Sequence, residues 1–145
     1  DLKGIVARLG LTGHVLAPGR VDDETFNRYL AVTDIGVNLR YPLEGETSST
    51  ALRIMSYGKP MLVTDAGSLA ELPDTCTIKI APGEGEIRQI REALLRLAYD
   101  EGQRQKMGTT AQTYVTRHHT WEQAAQTYHQ FLEQLATDGA HWWTK

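Results

Sequence analysis

The stretch Arg40–Pro60, R-Y-P-L-E-G-E-T-S-S-T-A-L-R-I-M-S-Y-G-K-P, holds the residues best suited to chemistry. A polar loop carrying Gly45, Thr47, Ser48 and Ser49 runs straight into a helix start. Backbone N–H groups left over at such a start, with the positive end of the helix dipole, favour an anion and above all a phosphate. Small residues there let a ligand come close to the backbone. Glu44 and Glu46 lie at the same mouth and can accept hydrogen bonds from sugar hydroxyls. The same spacing also fits a plain capping role for Thr47 and Ser48, and composition leaves both readings open.

Other residues carry less. There is no Walker-type G-x-x-x-x-G-K-[ST] and no G-x-G-x-x-G. Asp65, at a strand end, suits a phosphoacceptor or metal ligand, but an Asp that caps the following turn is commoner. His118-His119 are adjacent, poor spacing for one metal on a helix, and read as an exposed helix end. The single cysteine, Cys76, excludes an internal disulfide framework and a multi-cysteine zinc site. Its apolar neighbours favour a buried structural thiol. Trp142-Trp143 fits no one reading better than another.

The elements that must position these residues follow from periodicity and punctuation. Leu2, Ile5, Val6 and Leu9 mark one helical face within Asp1–Leu11, ended by Gly10 and Gly13. His14–Ala17 reads as a short strand before Pro18-Gly19. Asp22-Asp23-Glu24 open a helix running to about Val32. A strand is expected over Asp34–Leu39, then the loop and the helix carrying Leu52, Ile54 and Met55. Gly58 stands where a left-handed cap belongs, and Pro60 stops the helix. Met61–Thr64 and Thr77–Ile80 read as strands, with a helical turn at Ser68–Leu72 between them. From residue 84 to 138 the period is helical only. Ile87, Ile90, Leu94 and Leu97 form one stripe. Asp100 with Gln103, and Thr120 with Gln123, begin two further helices. The first of these buries Met107, Ala111, Tyr114 and Val115, and the second carries Trp121, Tyr128, Phe131, Leu132 and Leu135.

Strands alternating with helices imply an α/β fold, a Rossmann-like parallel sheet with flanking helices. Ligands of such sheets sit beyond the carboxyl ends of the strands. The loops to inspect are therefore 18–22, 40–49, 65–69 and 81–85. The length, 145 residues, suits a single domain. Hydrophobic residues are 41% and charged residues 23%, ordinary for a folded chain, so wholesale disorder is excluded. Fifteen Lys+Arg against eighteen Asp+Glu leave a net charge of −3, which supplies no general drive toward nucleic acid or an anionic membrane. No apolar run is long enough for a membrane span, and no export signal opens the sequence, so a cytoplasmic location is expected. The first residue is Asp1 within a helical pattern, which reads as a piece of a longer protein.

Taken in order, several blocks resemble the C-terminal, donor-binding half of retaining glycosyltransferases of the GT-B architecture, specifically the large family four. Gly13–Val21 is similar to the family's V-x-F-x-G-x-V strand and loop. Tyr29-Leu30 to Val37 resembles its Y-L…A-D-V-x-V. Arg53–Val63 resembles E-A-M-A-x-G-x-P-V-V-A, and Gly67…Glu71, Met107-Gly108 and Thr120-Trp121 follow in the family's order. The resemblance implies a nucleoside diphosphate sugar as donor substrate, no metal and no other cofactor. It places main-chain groups of Gly19, Arg20 and Val21 against the nucleobase. Backbone amides of Ser48, Ser49 and Thr50 would hold the diphosphate.

The family's E-x7-E motif is not kept. Counting back from Gly58-Lys59-Pro60, the ribose position is Arg53 and the sugar position is Gly45, flanked by Glu44 and Glu46. Arg53 has no acceptor for a ribose hydroxyl but can pair with a phosphate or an acid. Glu46 or Glu44 would orient the donor sugar. The resemblance also implies that two strands and the acceptor-binding half are missing from this sequence. Negligible turnover by this chain alone is expected, as is a sheet edge at residues 14–17 that is re-paired, exchanged with a second copy or covered by a companion. Rival readings are a sugar-nucleotide epimerase, a non-catalytic donor-like domain kept for protein contacts, and a receiver-like binding module using Asp65 and Lys79. The receiver needs an acidic pair after its first strand, which Gly13–Asp22 does not supply.

Overall fold

The computed structural model describes residues 1–42 and 47–137, so Glu44, Gly45, Glu46 and the Trp142-Trp143 pair lie outside the described residues. The chain divides into two compact units, Asp1–Val32 and Thr33–Lys145. The first holds two helices, α1 (Leu2–Arg8) and α2 (Asp23–Val32). Asp1 caps α1 by accepting from Lys3 N at 3.0 Å, and Asp22 caps α2 by accepting from Thr25 N at 2.8 Å. That second bond holds the Asp22 carboxyl below its usual range.

His14–Ala17 is not a strand, contrary to expectation. A strand exists only as a hydrogen-bonded ladder, and among the described residues none pairs with this segment. Gly13 and Gly19, at φ +86° and +73°, turn the backbone at either side of it. Leu16 is left 80% exposed. The apolar face of α1 is likewise unburied.

The second unit is a parallel three-stranded sheet in the order β1-β2-β3, formed by Gly36–Asn38, Met61–Thr64 and Thr77–Ile80. In register, Val37 lies beside Leu62, and Leu62 beside Ile78. Every residue of β2 is buried, as a central strand of a covered parallel sheet requires. Helix α3 (Ser49–Ser56) links β1 to β2, and the short α4 (Gly67–Ala70) links β2 to β3. Three long helices follow: α5 (Glu86–Tyr99), α6 (Glu101–His118) and α7 (Trp121–Thr137).

The core gathers Leu62 and Ile80 from the sheet, Ala93 and Leu97 from α5, and Met107 from α6. Each large apolar side chain so buried is worth about 1.5–3 kcal/mol. Ile90 and Leu94 pack beside them, but Ile87, expected in the same stripe, is 84% exposed. It sits in the first turn of α5, ahead of the core contact. Met107 and Ala111 are buried while Tyr114 and Val115 are half-buried. Cys76 is fully buried, and burial pushes its thiol up.

Helix α3 shows why these sequences make these elements. Ser48 caps its start, and Gly58, at φ +66°, turns the chain out after Tyr57, ahead of Pro60. Ala51, Ile54 and Met55 form its buried face. At its end the backbone of Gly58 approaches α6 so closely that a Cβ on Gly108 would lie 1.9 Å from Gly58 O. Gln112 Nε2 adds a bond to Ser56 O at 3.1 Å. Helix α7 contributes no buried residue.

Candidate functional site

Two strands and one helix converge at the carboxyl edge of the sheet. Asn38 ends β1, Thr64 ends β2, and α3 begins at Ser49. Ser48 Oγ accepts from Ala51 N at 3.2 Å, and Leu52 N begins the helical ladder by donating to Ser48 O at 3.2 Å. Ser49 and Thr50 therefore carry the two amides that the helix itself does not use. With the dipole, they make this end attractive to an anion.

A polar network surrounds the cap. Asn38 Nδ2 donates to Ser48 Oγ at 2.7 Å, and the Arg40 guanidinium donates to Ser48 Oγ at 3.1 Å and through Nε to Asn38 Oδ1 at 3.4 Å. The Arg40 backbone N–H donates to Thr64 Oγ1 at 2.8 Å. Ser48 and Thr64 are buried, while Asn38 and Arg40 are half-buried. A permanent cation thus stands at the start of the helix.

Beside it, a cavity of about 100 Å³ is lined by Thr47, Ser48, Ser68, Glu71, Tyr114 and His119, among others. The His119 ring lies 5.2 Å from that of Tyr114, and burial, with the charge of His118 second, lowers its pKa. A larger hollow of about 860 Å³ runs along β3, α5 and α6. Its Lys79 is already paired with Asp74 at 2.8 Å, and Arg96 and Lys106 are exposed, so it offers no organised binding groups.

The sequence-derived residues are placed as follows. Ser48, Ser49 and Thr50 form the start of α3. Arg53 stands one turn beyond Ser49 on the same side of the helix, half-buried, its carbonyl accepting from Ser56 Oγ at 2.8 Å. Gly19, Arg20 and Val21 belong to the first unit, in an irregular segment ahead of α2. Glu44 and Glu46 fall outside the described residues. Asp65 does not cap the turn after β2: the N-cap position of α4 is Ala66, and the helix starts without a side-chain cap. Loop 81–85 is tied to α5 by Gln89, which accepts from Ala81 N at 3.1 Å and donates to Ala81 O at 3.3 Å.

Asn38 and Arg40 were not singled out from the sequence. The one available signal was a cationic residue directly after a strand and ahead of a small-residue loop. Among the described residues, no group of His, Cys, Asp and Glu could hold a metal ion, and no helix is long and apolar enough to cross a membrane.

The parallel three-stranded sheet with flanking helices matches a GT-B half in fold. The solved structure of sucrose-phosphate synthase from Thermosynechococcus elongatus matches over 95% of this chain with a TM-score of 0.76 and 21% identity. The likeness is one of fold, and this chain covers 34% of that enzyme's length. No family model and no curated protein matches the sequence. The resemblance to a glycosyltransferase donor half thus agrees with the fold, with the strand at residues 14–17 as the exception.

Proposed function

We propose that this chain is the donor-binding part of a retaining glycosyltransferase, which moves a sugar from a nucleoside diphosphate sugar to an acceptor hydroxyl. The observation that carries the proposal is the start of α3, where two unused amides and the Arg40 guanidinium meet at the carboxyl edge of a parallel sheet. Diphosphate accumulates negative charge as the sugar leaves, and fixed N–H donors and a fixed cation stabilise that charge without reorganising. In this reading Ser48, Ser49 and Thr50 hold the diphosphate, and main-chain groups of Gly19, Arg20 and Val21 meet the base. Glu46 or Glu44 orients the sugar. No metal and no further cofactor is used. The acceptor-binding half belongs to the remainder of a longer protein.

Calorimetric titration of the chain with UDP, GDP and ADP, alongside an Arg53→Glu variant, tests this. One nucleotide is expected to bind in preference to the other two, naming the base. Tighter binding by Arg53→Glu would mean that a ribose contact is absent from the natural sequence. A second reading, a non-catalytic domain kept for protein contacts, is favoured by Arg53 itself, which has no acceptor for a ribose hydroxyl. No heat with any of the three nucleotides would favour that reading.

A further inference from the structure

The outer edge of β1 is one half of a strand pairing. Among the described residues β1 has β2 as its one neighbour. Gly36 N donates to Pro60 O at 2.9 Å and Arg40 N to Thr64 Oγ1 at 2.8 Å, so the even-numbered residues turn their backbone groups toward β2. Successive residues of a strand point to opposite sides, which directs Val37 N–H and C=O out of the sheet. Val37 is 48% exposed, while Ile35 and Leu39 on either side of it pack against the core. Natural proteins guard such edges with charges or proline. Ile35-Gly36-Val37-Asn38-Leu39 carries neither.

The segment His14–Ala17 is the other half. Its residues are strand-like, and Val15, Leu16 and Ala17 make no backbone hydrogen bond among the described residues. Leu16 is 80% exposed and Val15 is exposed beside it. With four residues the segment is as long as β2 or β3 and spans the three of β1. An open edge is a template for a strand, and this segment lacks a ladder. The two do not pair within one chain. Between two chains the count closes, because each brings one segment and one edge, and mutual exchange satisfies both under two-fold symmetry.

We propose that two copies of this chain pair by reciprocal exchange, the Val15–Ala17 segment of each laid along the β1 edge of the other. Val37 N–H and C=O bond to the incoming backbone, and the incoming strand covers the exposed Val37 side chain. Leu16 leaves water in the same step. The pairing is independent of the donor-site reading, since it uses neither the start of α3 nor a ligand.

The test is the solution mass of the whole chain, by sedimentation across the micromolar range, for the natural sequence and for Leu16→Lys, Val37→Pro and Leu132→Lys. The natural sequence is expected at the mass of two chains. Leu16→Lys puts the charge of a guarded edge at an exposed position and should give the mass of one chain. Val37→Pro should do the same, because it removes the outward N–H, which β2 does not use, and proline is tolerated on such an edge. Circular dichroism checks that its helices remain, and if they do not, Leu16→Lys decides. Leu132→Lys, on the exposed apolar face of α7, should stay at two chains. A natural chain that sediments as one copy would overturn the inference and leave the edge to a strand of another protein. Two-chain mass kept by Leu16→Lys or by a folded Val37→Pro, or lost in Leu132→Lys, would overturn it as well, since the copies would then meet elsewhere.

Discussion

At the scale of single residues, Gly108 is the most exacting position outside the site. A Cβ there would stand 1.9 Å from Gly58 O and 2.8 Å from Gly58 C, both backbone atoms that cannot swing aside as a side chain can. Gly58 itself cannot yield, because its φ of +66° forms the turn that ends α3. Gly108→Ala is therefore expected to lower stability by about 1–3 kcal/mol, the usual penalty for overpacking. A urea titration following helicity checks this, and an unshifted midpoint would mean that α6 does not rest on the end of α3. The neighbouring Gly102 needs no such prediction, since the nearest atom to its Cβ is the Asp100 side chain at 3.5 Å.

At the scale of elements, α2, α3, α6 and α7 start with one shared device, a side-chain oxygen accepting a backbone N–H, which α4 and α5 lack. Asp22, Ser48, Asp100 and Thr120 all use it. For Asp22 it carries a pH dependence. The Thr25 backbone N–H favours the charged form and lowers the carboxyl below its ordinary 3.8. The folded state then binds this proton more weakly than the unfolded state. The contribution is present in full above the ordinary value and is lost as pH falls through the lowered one. Acid titration of helicity is expected to show a smaller loss for Asp22→Asn than for the natural chain over that window. Asn caps comparably but does not titrate. Equal losses would show that the cap does not form in solution.

At the scale of the whole molecule, stability is unevenly spread. The sheet, α3, α5 and α6 share the buried core, whereas α7 buries nothing and leaves Trp121 89%, Tyr128 71% and Leu132 60% exposed. A chain ended at Thr120 is expected to keep its unfolding free energy in a urea titration to within about 0.5 kcal/mol, as changes at exposed positions usually do. A larger loss would mean that the apolar face of α7 is covered in solution. None of the residues proposed to meet the donor lies in α7, so nucleotide binding should survive the same truncation.

Much of this architecture was legible in the residues. Met61–Thr64 is a continuous apolar or β-branched run, Thr77–Ile80 is one interrupted only by Lys79, and both are strands with those bounds. Gly58 ahead of Pro60 marked the end of α3, and capping residues marked the starts of α2, α3, α6 and α7. These are local signals, decided by backbone freedom and by donors within four residues. His14–Ala17 has strand-like residues too, but a strand is a relation between two segments, and no described segment supplies the other half. Leu2, Ile5, Leu9 and Phe131 have helical spacing yet remain exposed, because periodicity states which face is apolar and not what covers it. The small-residue helix start at Ser48–Thr50 was visible in sequence. Its completion by Asn38, Arg40 and Thr64 was not, since these groups meet only when parallel pairing sets the ends of β1 and β2 side by side.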